Sequence, residues 1–438
     1  MEAMAKFFAR AGRKVTVVTP TKSAADGEFT ESVPEGVALY EIDALGRRRA
    51  SKAPPAQTVP YRASRRGRIM RRIKDFTMRK LGQIPDPRIP FAFSFLSPFL
   101  DKEVKAALQA ADVVVGTCPP WPPLMAGLFC KWRFGVPAVM DYRDHLSMCH
   151  EMPGGRFAKN LELHLDRFLT RNASSVVTIS EPMAAYYSQF HPRVTAVLNG
   201  YEPDMIENAK RTSPWSPRAP GAPLTIRYVG IVTAGRIPRA LLGALVQLRR
   251  EGRLPPGSVV FEYYGECGMM EEALEADFVE VRDLFKFLPR VSYQRSLELV
   301  VTADHVLFCE NAIAAKPGEE ASAAGILTTK LFEYLASGRP ILGDINPETL
   351  AGTFARRGSD CHFLSDRSNE FREFLLSDRF WSPPTCDGNA FVRSLSRASQ
   401  AEQYLVELDA VVAAHGARDR PVEGQDFRAA CADVLDRQ

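Results

Sequence analysis

Lys330 and Glu333 stand three residues apart behind two threonines, Thr328 and Thr329, in the stretch Gly325-Ile-Leu-Thr-Thr-Lys-Leu-Phe-Glu-Tyr-Leu-Ala-Ser-Gly-Arg-Pro-Ile-Leu-Gly-Asp-Ile345. On a helix that spacing puts the ammonium and the carboxylate on one side, about one turn apart. A cation in the first turn of a helix is disfavoured by the dipole unless an anion is present too. Free first-turn amides, a threonine hydroxyl and an ammonium together make a phosphate site. Glu333 is then placed to accept hydrogen bonds from sugar hydroxyls. The plainer alternative is a threonine-capped packing helix with a surface Lys–Glu pair, and one motif does not choose between them.

The element holding these residues is written locally. Thr328 or Thr329 is expected to cap the helix. Leu331, Phe332 and Leu335 give it an apolar face. Gly338 suits the left-handed position after the last turn, and Pro340 stops the helix before an apolar strand.

The remaining composition narrows the function classes. A chain of 438 residues is too long for one ordinary core and predicts two domains. No run reaches the roughly 18–20 apolar residues of a membrane span, and Met1 opens no secretory leader pattern. Eight cysteines are scattered without a Cys-x-x-Cys pair, so buried reduced thiols are expected. Seven histidines show no metal-ligand spacing, and no metal is expected. The net charge of +4 conceals an asymmetry. Thirteen Lys or Arg and one acid, Asp75, fall between Arg47 and Lys80, a local charge of +12 that leaves −8 elsewhere.

Short apolar runs alternate with helical patterns along the chain. Strands are predicted at 15–19, 37–40, 113–116, 137–142, 176–180, 194–198, 224–232, 259–264, 305–309 and 340–344. Helices are predicted at 124–133, 157–172, 182–190, 238–250, 294–302, 329–337 and 390–414. Unalternating apolar strands are the signature of parallel sheets buried on both faces. The rhythm is that of an α/β chain with two doubly wound domains. The expected division is 1–205 for the N-terminal domain, 206–223 for a Pro-rich linker, 224–412 for the C-terminal domain and 413–438 for a loosely ordered tail. Residues 1–12 already read as a helix, so the strand and Gly-rich loop that usually open such a domain are missing from the sequence as given.

These segments resemble the family-4-like retaining glycosyltransferases of the GT-B fold, in which two Rossmann-like domains face a cleft. The resemblance spans roughly residues 1–412 and rests on four segments in order: Gly135-Val-Pro-Ala-Val-Met-Asp-Tyr-Arg-Asp144; Val176-Val-Thr-Ile-Ser-Glu-Pro-Met-Ala-Ala185 with Leu198-Asn-Gly-Tyr-Glu202; Ile226-Arg-Tyr-Val-Gly230 with Arg236; and Lys330-Leu-Phe-Glu-Tyr-Leu-Ala-Ser-Gly-Arg-Pro-Ile341. It implies a nucleotide-sugar donor as co-substrate, no other cofactor, and a glycan or lipid-linked acceptor. Lys330 and Arg236 match the family's phosphate-binding cations, beside Gly230, Thr328 and Thr329. Glu333 matches its ribose-binding Glu. Two fixed cations and a helix N-terminus would stabilise the charge left on a departing nucleoside diphosphate. Two departures from the family pattern stand out: Gly325 occupies the position of a first Glu, and Ile231 that of an Arg.

In the N-terminal domain the resemblance puts Asp144 at the acceptor hydroxyl and Arg143 at a phosphate; a salt-bridge cluster at a strand end is the alternative. His145 and Glu162 are expected to be structural. In Arg62–Lys80 the apolar residues Ile69, Ile73 and Phe76 recur at helical spacing among the cations, which fits peripheral contact with an anionic membrane. A solvated basic insertion is the bland alternative, and no nucleic-acid motif is present. The expected location is cytoplasmic, at the inner membrane face. Two other readings stay open: a non-catalytic relative that binds nucleotide or a partner, and a nucleotide-hexosamine epimerase of similar architecture.

Overall fold

The computed structural model describes residues 2–21, 33–43, 45–47, 94–147, 155–310, 325, 327–386 and 388–416. The basic segment Arg62–Lys80 lies outside them. The chain divides into two compact units, one of 1–198, 315–325 and 401–438, the other of 199–314 and 326–400.

The first unit opens with helix Glu2–Arg10, followed by a parallel pair, β1 (Val15–Pro20) and β2 (Val37–Ile42). A second, four-stranded sheet runs in the order β3 (Val114–Cys118), β4 (Ala138–Tyr142), β5 (Ser175–Thr178) and β6 (Val194–Ala196), all parallel. Helices Pro122–Phe134, Arg156–Asn172 and Glu181–Tyr187 connect these strands. Every residue of β4 is buried, which accounts for its unalternating apolar pattern. Leu128, Met140, Leu169, Val176 and Tyr187 belong to the core around it.

The second unit carries six parallel strands: β7 (Leu224–Val229), β8 (Val259–Tyr264), β9 (Phe285–Leu288), β10 (His305–Cys309), β11 (Ile341–Asp344) and β12 (Phe363–Ser365). Their order across the sheet is β12-β11-β10-β7-β8-β9. The chain builds outward from β7 through β8 to β9, then returns to β10 on the other side of β7. The boundary between β7 and β10 is therefore the switch point, where ligands of doubly wound sheets bind beyond the strand carboxyl ends. Leu224, Ile226, Leu241, Leu245, Phe261 and Leu307 are among its buried core.

Three expectations need correction. The stretch expected to be linker begins inside a helix, Pro203–Thr212, which opens with Pro at its first turn, buries Ile206 and Ala209, and packs on the Tyr293–Val301 helix. The single late helix is two, Ala390–Ser394 and Arg397–Gly416. From Ala401 onward the second of these belongs to the first unit, not to the C-terminal domain. Its side chains explain why. Glu407 accepts from Ser175 Oγ at 2.5 Å and from Thr195 Oγ1 at 3.2 Å, and pairs with Arg193. Tyr404 is fully buried, with its ring 5.5 Å from that of Phe8.

The cysteines also differ from expectation in one place. Cys118, Cys130, Cys267 and Cys309 are buried and not disulfide-bonded, but Cys361 and Cys386 form a disulfide. Their Cα atoms lie 6.2 Å apart, a separation that a disulfide spans. Twenty-five residues of sequence hide that proximity.

Candidate active site

Four backbone features of the second unit converge beyond β7. Gly230, the first residue after the strand, has φ +135°, a conformation that L side chains rarely adopt. A Cβ there would meet Lys330 Nζ at 2.2 Å and Cε at 2.4 Å. Gly230 thus leaves the space in which the Lys330 side chain lies. Gly265, at the end of β8 with φ +127°, would set a Cβ 2.4 Å from the Gly230 carbonyl oxygen. These two glycines let the ends of β7 and β8 approach closely, beside the switch point.

Lys330 reaches this place from the first turn of helix Thr329–Ser337, which ends on Gly338 in the left-handed conformation as its sequence predicts. Its ammonium donates to Tyr228 Oη at 3.1 Å and sits 4.4 Å from the centre of the same ring. Tyr228 Oη in turn donates to the Ile231 carbonyl at 2.8 Å. Burial, and then the nearby Arg236 cation, push the Lys330 pKa down to about 8. A diphosphate would offset both effects by supplying negative charge.

Arg236 closes the short 3-10 turn Ala234–Arg236. The helix that follows, Arg239–Arg250, is held at its start by Asp344, whose Oδ2 accepts from the Leu241 amide at 3.3 Å. Burial raises the Asp344 pKa to about 6. Neither Tyr228 nor Asp344 was singled out from sequence.

Thr328 occupies the cap position but makes no capping bond, contrary to expectation. Its buried Oγ1 has no hydrogen-bond partner, and neither has that of Thr233, which precedes the Arg236 turn. Both hydroxyls are therefore available to a ligand, and the first-turn amides keep their positive end uncapped. Thr329 begins the helix and is partly exposed.

Glu333 is 9% exposed, and burial raises its pKa. One of its oxygens accepts from Tyr293 Oη at 2.8 Å. Lys330 and Glu333 are thus not a surface pair. All six expected donor residues (Gly230, Arg236, Thr328, Thr329, Lys330 and Glu333) belong to the second unit.

The acceptor-side candidates belong to the first unit, just past β4. Arg143 Nε donates to Asp141 Oδ2 at 3.0 Å, and its Nη2 lies 2.9 Å from Oδ1 in the same ion pair. Asp141 is fully buried. Burial opposes the Arg143 charge, but the carboxylate more than offsets it, so the Arg143 pKa is raised. Its guanidinium is committed to this pair. Asp144 next to it is exposed. His145 is buried and stacks on Tyr187, with ring centres 5.5 Å apart. Glu162 is buried and pairs with Lys159 at 3.3 Å. Asp166, which the sequence reading passed over, is buried and accepts from Ser147 Oγ at 2.6 Å; burial raises its pKa to about 6.

Among the described residues one group, Cys361, His362 and Cys386, brings ligand-type atoms within 4.8 Å of one another. Those atoms are already committed: the thiols are joined, and His362 Nδ1 accepts from the Ile341 amide at 3.0 Å. No described helix is long and apolar enough to cross a membrane.

Residues 1–200 match the sequence model of a family described as glycosyl transferase 4-like domain. The chain's structure is similar to that of a glycosyltransferase from Rickettsia africae ESF-5, at 10% identity over 94% of this chain and 93% of that one, with a TM-score of 0.51. It is also similar to an alpha,alpha-trehalose 6-phosphate synthase from Burkholderia multivorans, at 13% identity over 92% and 99%, with a TM-score of 0.51. No curated protein sequence matches the chain. At such identities the structural likeness carries the fold, which is GT-B. The N-terminal match bears on the class: residues 1–200 match a glycosyl transferase 4-like domain, which together with the fold supports a glycosyltransferase.

Proposed function

We propose that this protein transfers a sugar from a nucleotide-sugar donor to a glycan or lipid-linked acceptor, with retention of anomeric configuration and without a metal ion. The observation behind the donor assignment is the position of Lys330: a half-buried ammonium at the switch point of a doubly wound sheet, in the first turn of a helix whose cap hydroxyl is unpartnered. Cleavage of the sugar–phosphate bond leaves negative charge on the nucleoside diphosphate. Lys330, Arg236 and the first-turn amides of Thr329–Ser337 meet that charge as it develops, in a site partly screened from water. These groups supply the electrostatic role that a divalent cation has in other transferases. Glu333 takes the ribose. Retention fits attack from the face the diphosphate leaves, a route that asks no side chain to act as nucleophile. Asp144 is the exposed carboxylate assigned to the acceptor hydroxyl, and Arg143, held by Asp141, shapes the loop that presents it.

Arg62–Lys80 is assigned to an anionic lipid surface at the cytoplasmic face. The support is its sequence: cations and apolar residues interleaved at helical spacing, each cation adding about 1 kcal/mol near such a surface.

The test is a transfer assay with UDP-, GDP-, ADP- and TDP-sugars, using membrane lipid extracts and oligosaccharides as acceptors. One donor should be consumed by the parent and not by Lys330→Ala, with EDTA without effect and the product anomer matching the donor. A product of opposite configuration would remove retention, and loss with EDTA would remove metal independence. Nucleotide binding without transfer to any acceptor would favour a non-catalytic role. For the membrane, salt-reversible sedimentation with anionic liposomes is expected; no sedimentation at low salt would reject it.

A further inference from the structure

Tyr293 opens the helix Tyr293–Val301, whose cap, Ser292, accepts from the Arg295 amide at 3.3 Å. This fixes the start of the helix and with it the phenol. Tyr293 Oη donates to Glu333 Oε1 at 2.8 Å across 40 residues of sequence. Glu333 itself comes from the helix that also carries Lys330. The carboxylate is nine-tenths buried. Burial raises its pKa, while the Tyr293 bond and the charges of Arg397 and Lys330 pull it back down. Arg397 is shared with Glu202, 3.6 Å away. Tyr293 is thus a neutral donor that fixes one oxygen of a buried carboxyl in rotation and favours its charged form. The other oxygen keeps its accepting capacity for a ligand.

We infer that Tyr293 is a positioning residue that presents Glu333 as a one-sided acceptor, and that the pair makes the site select nucleoside diphosphates bearing free ribose hydroxyls. The inference rests on reading the Lys330 site as the donor site. A fixed carboxylate rewards a hydroxyl that approaches its free oxygen and leaves that oxygen poorly paired when the hydroxyl is absent. Without the phenol the carboxylate loses a donor, turns about its last torsion and takes up a proton at higher pH. A carboxylic acid then presents a hydroxyl group where an acceptor was needed.

The test is calorimetric binding of uridine, guanosine and adenosine diphosphates and their 2′,3′-dideoxy counterparts to the parent, Tyr293→Phe, Glu333→Gln and Lys330→Ala. The parent should favour the ribonucleotide by about tenfold or more, the worth of a hydrogen bond to a charged group. Tyr293→Phe should bring that preference below about threefold while leaving affinity for the dideoxy compound unchanged, and its remaining preference should fade at a higher pH than the parent's. Glu333→Gln should reduce the preference too. Lys330→Ala should weaken both nucleotides equally, which reports on the donor site alone. Tyr293→Phe that keeps the parent's preference, or weakens both nucleotides alike, would make Tyr293 a packing residue and overturn the inference. No nucleotide binding by the folded parent would overturn the donor-site reading and this inference with it.

Discussion

The Lys330 ammonium lies 3.1 Å from Tyr228 Oη and 4.4 Å from the centre of that ring, in space that Gly230 leaves by having no Cβ. One tyrosine therefore holds the cation by its oxygen and by its π face. Gly230→Ala should displace the ammonium, because the new carbon would lie 2.2 Å from Nζ on a backbone at φ +135°. Nucleoside diphosphate affinity should fall by about tenfold or more, as expected for loss of a charge-assisted contact. Tyr228→Phe keeps the ring and removes the oxygen, so the loss should be smaller, about three- to tenfold. Isothermal calorimetry with each variant measures both; unchanged affinity in Gly230→Ala would mean that diphosphate binding does not depend on this placement of the Lys330 ammonium.

The depressed Lys330 pKa gives two pH effects of known sign. Its folded value of about 8 lies below the ordinary 10.5. Between those values the unfolded chain holds a proton that the folded chain has released, so stability should rise with pH in that window. Lys330→Met should flatten the rise. Diphosphate binding favours the charged form, so affinity should decline as pH rises above about 8, with proton uptake on binding near that pH. Calorimetry in two buffers of different ionisation enthalpy reads the uptake. Its absence, together with constant affinity from pH 7 to 9, would contradict the placement of Lys330 against the phosphates.

Arg143 and Asp141 form a hydrogen-bonded ion pair with Asp141 wholly buried. Asp141→Asn leaves a mostly buried guanidinium without its counter-charge and should cost about 3–5 kcal/mol in chemical denaturation. Replacing both by Asp141→Leu and Arg143→Met should cost less than the single change. If the double variant costs more than the single one, the pair is not the reason for the loss.

Asp166 titrates in the other direction from Lys330. Its folded pKa of about 6 lies above the ordinary 3.8. Between those values the folded chain binds the extra proton, so this residue's contribution to stability should decrease as pH rises from about 4 to 6. Asp166→Asn should remove that part of the slope while keeping an acceptor for Ser147. Denaturation midpoints at pH 4, 5 and 6 check it; an identical slope in the variant would rule out Asp166 as its source.

Much of this architecture is written locally. Strand β10 occurs where a short apolar run places it, because both its faces are covered, and helix Thr329–Ser337 keeps its predicted bounds, with a glycine in the left-handed conformation at its exit. Strands β9 and β12 escaped notice, being only four and three residues long at the two edges of the sheet. Helix Pro203–Thr212 was hidden by the Pro-rich stretch that follows it. At the site, the charged residues were legible because a cation in a first turn is locally anomalous. Their orienting tyrosines were not: Tyr228 lies 102 residues from Lys330, and nothing within a strand pattern marks it. Glu407 and Tyr404 likewise read as an ordinary helix face, and only folding brings them to Arg193 and Phe8.

The most direct test of the donor assignment is thermal unfolding of the parent and of Lys330→Ala with UDP, GDP, ADP and TDP. A nucleotide at about 100 times its dissociation constant adds roughly 2.7 kcal/mol, enough to raise the melting temperature by about a degree or more. The account predicts that at least one of the four stabilises the parent and that the same nucleotide leaves Lys330→Ala unmoved. Equal stabilisation of both proteins, or none of a folded parent by any of the four, would contradict it.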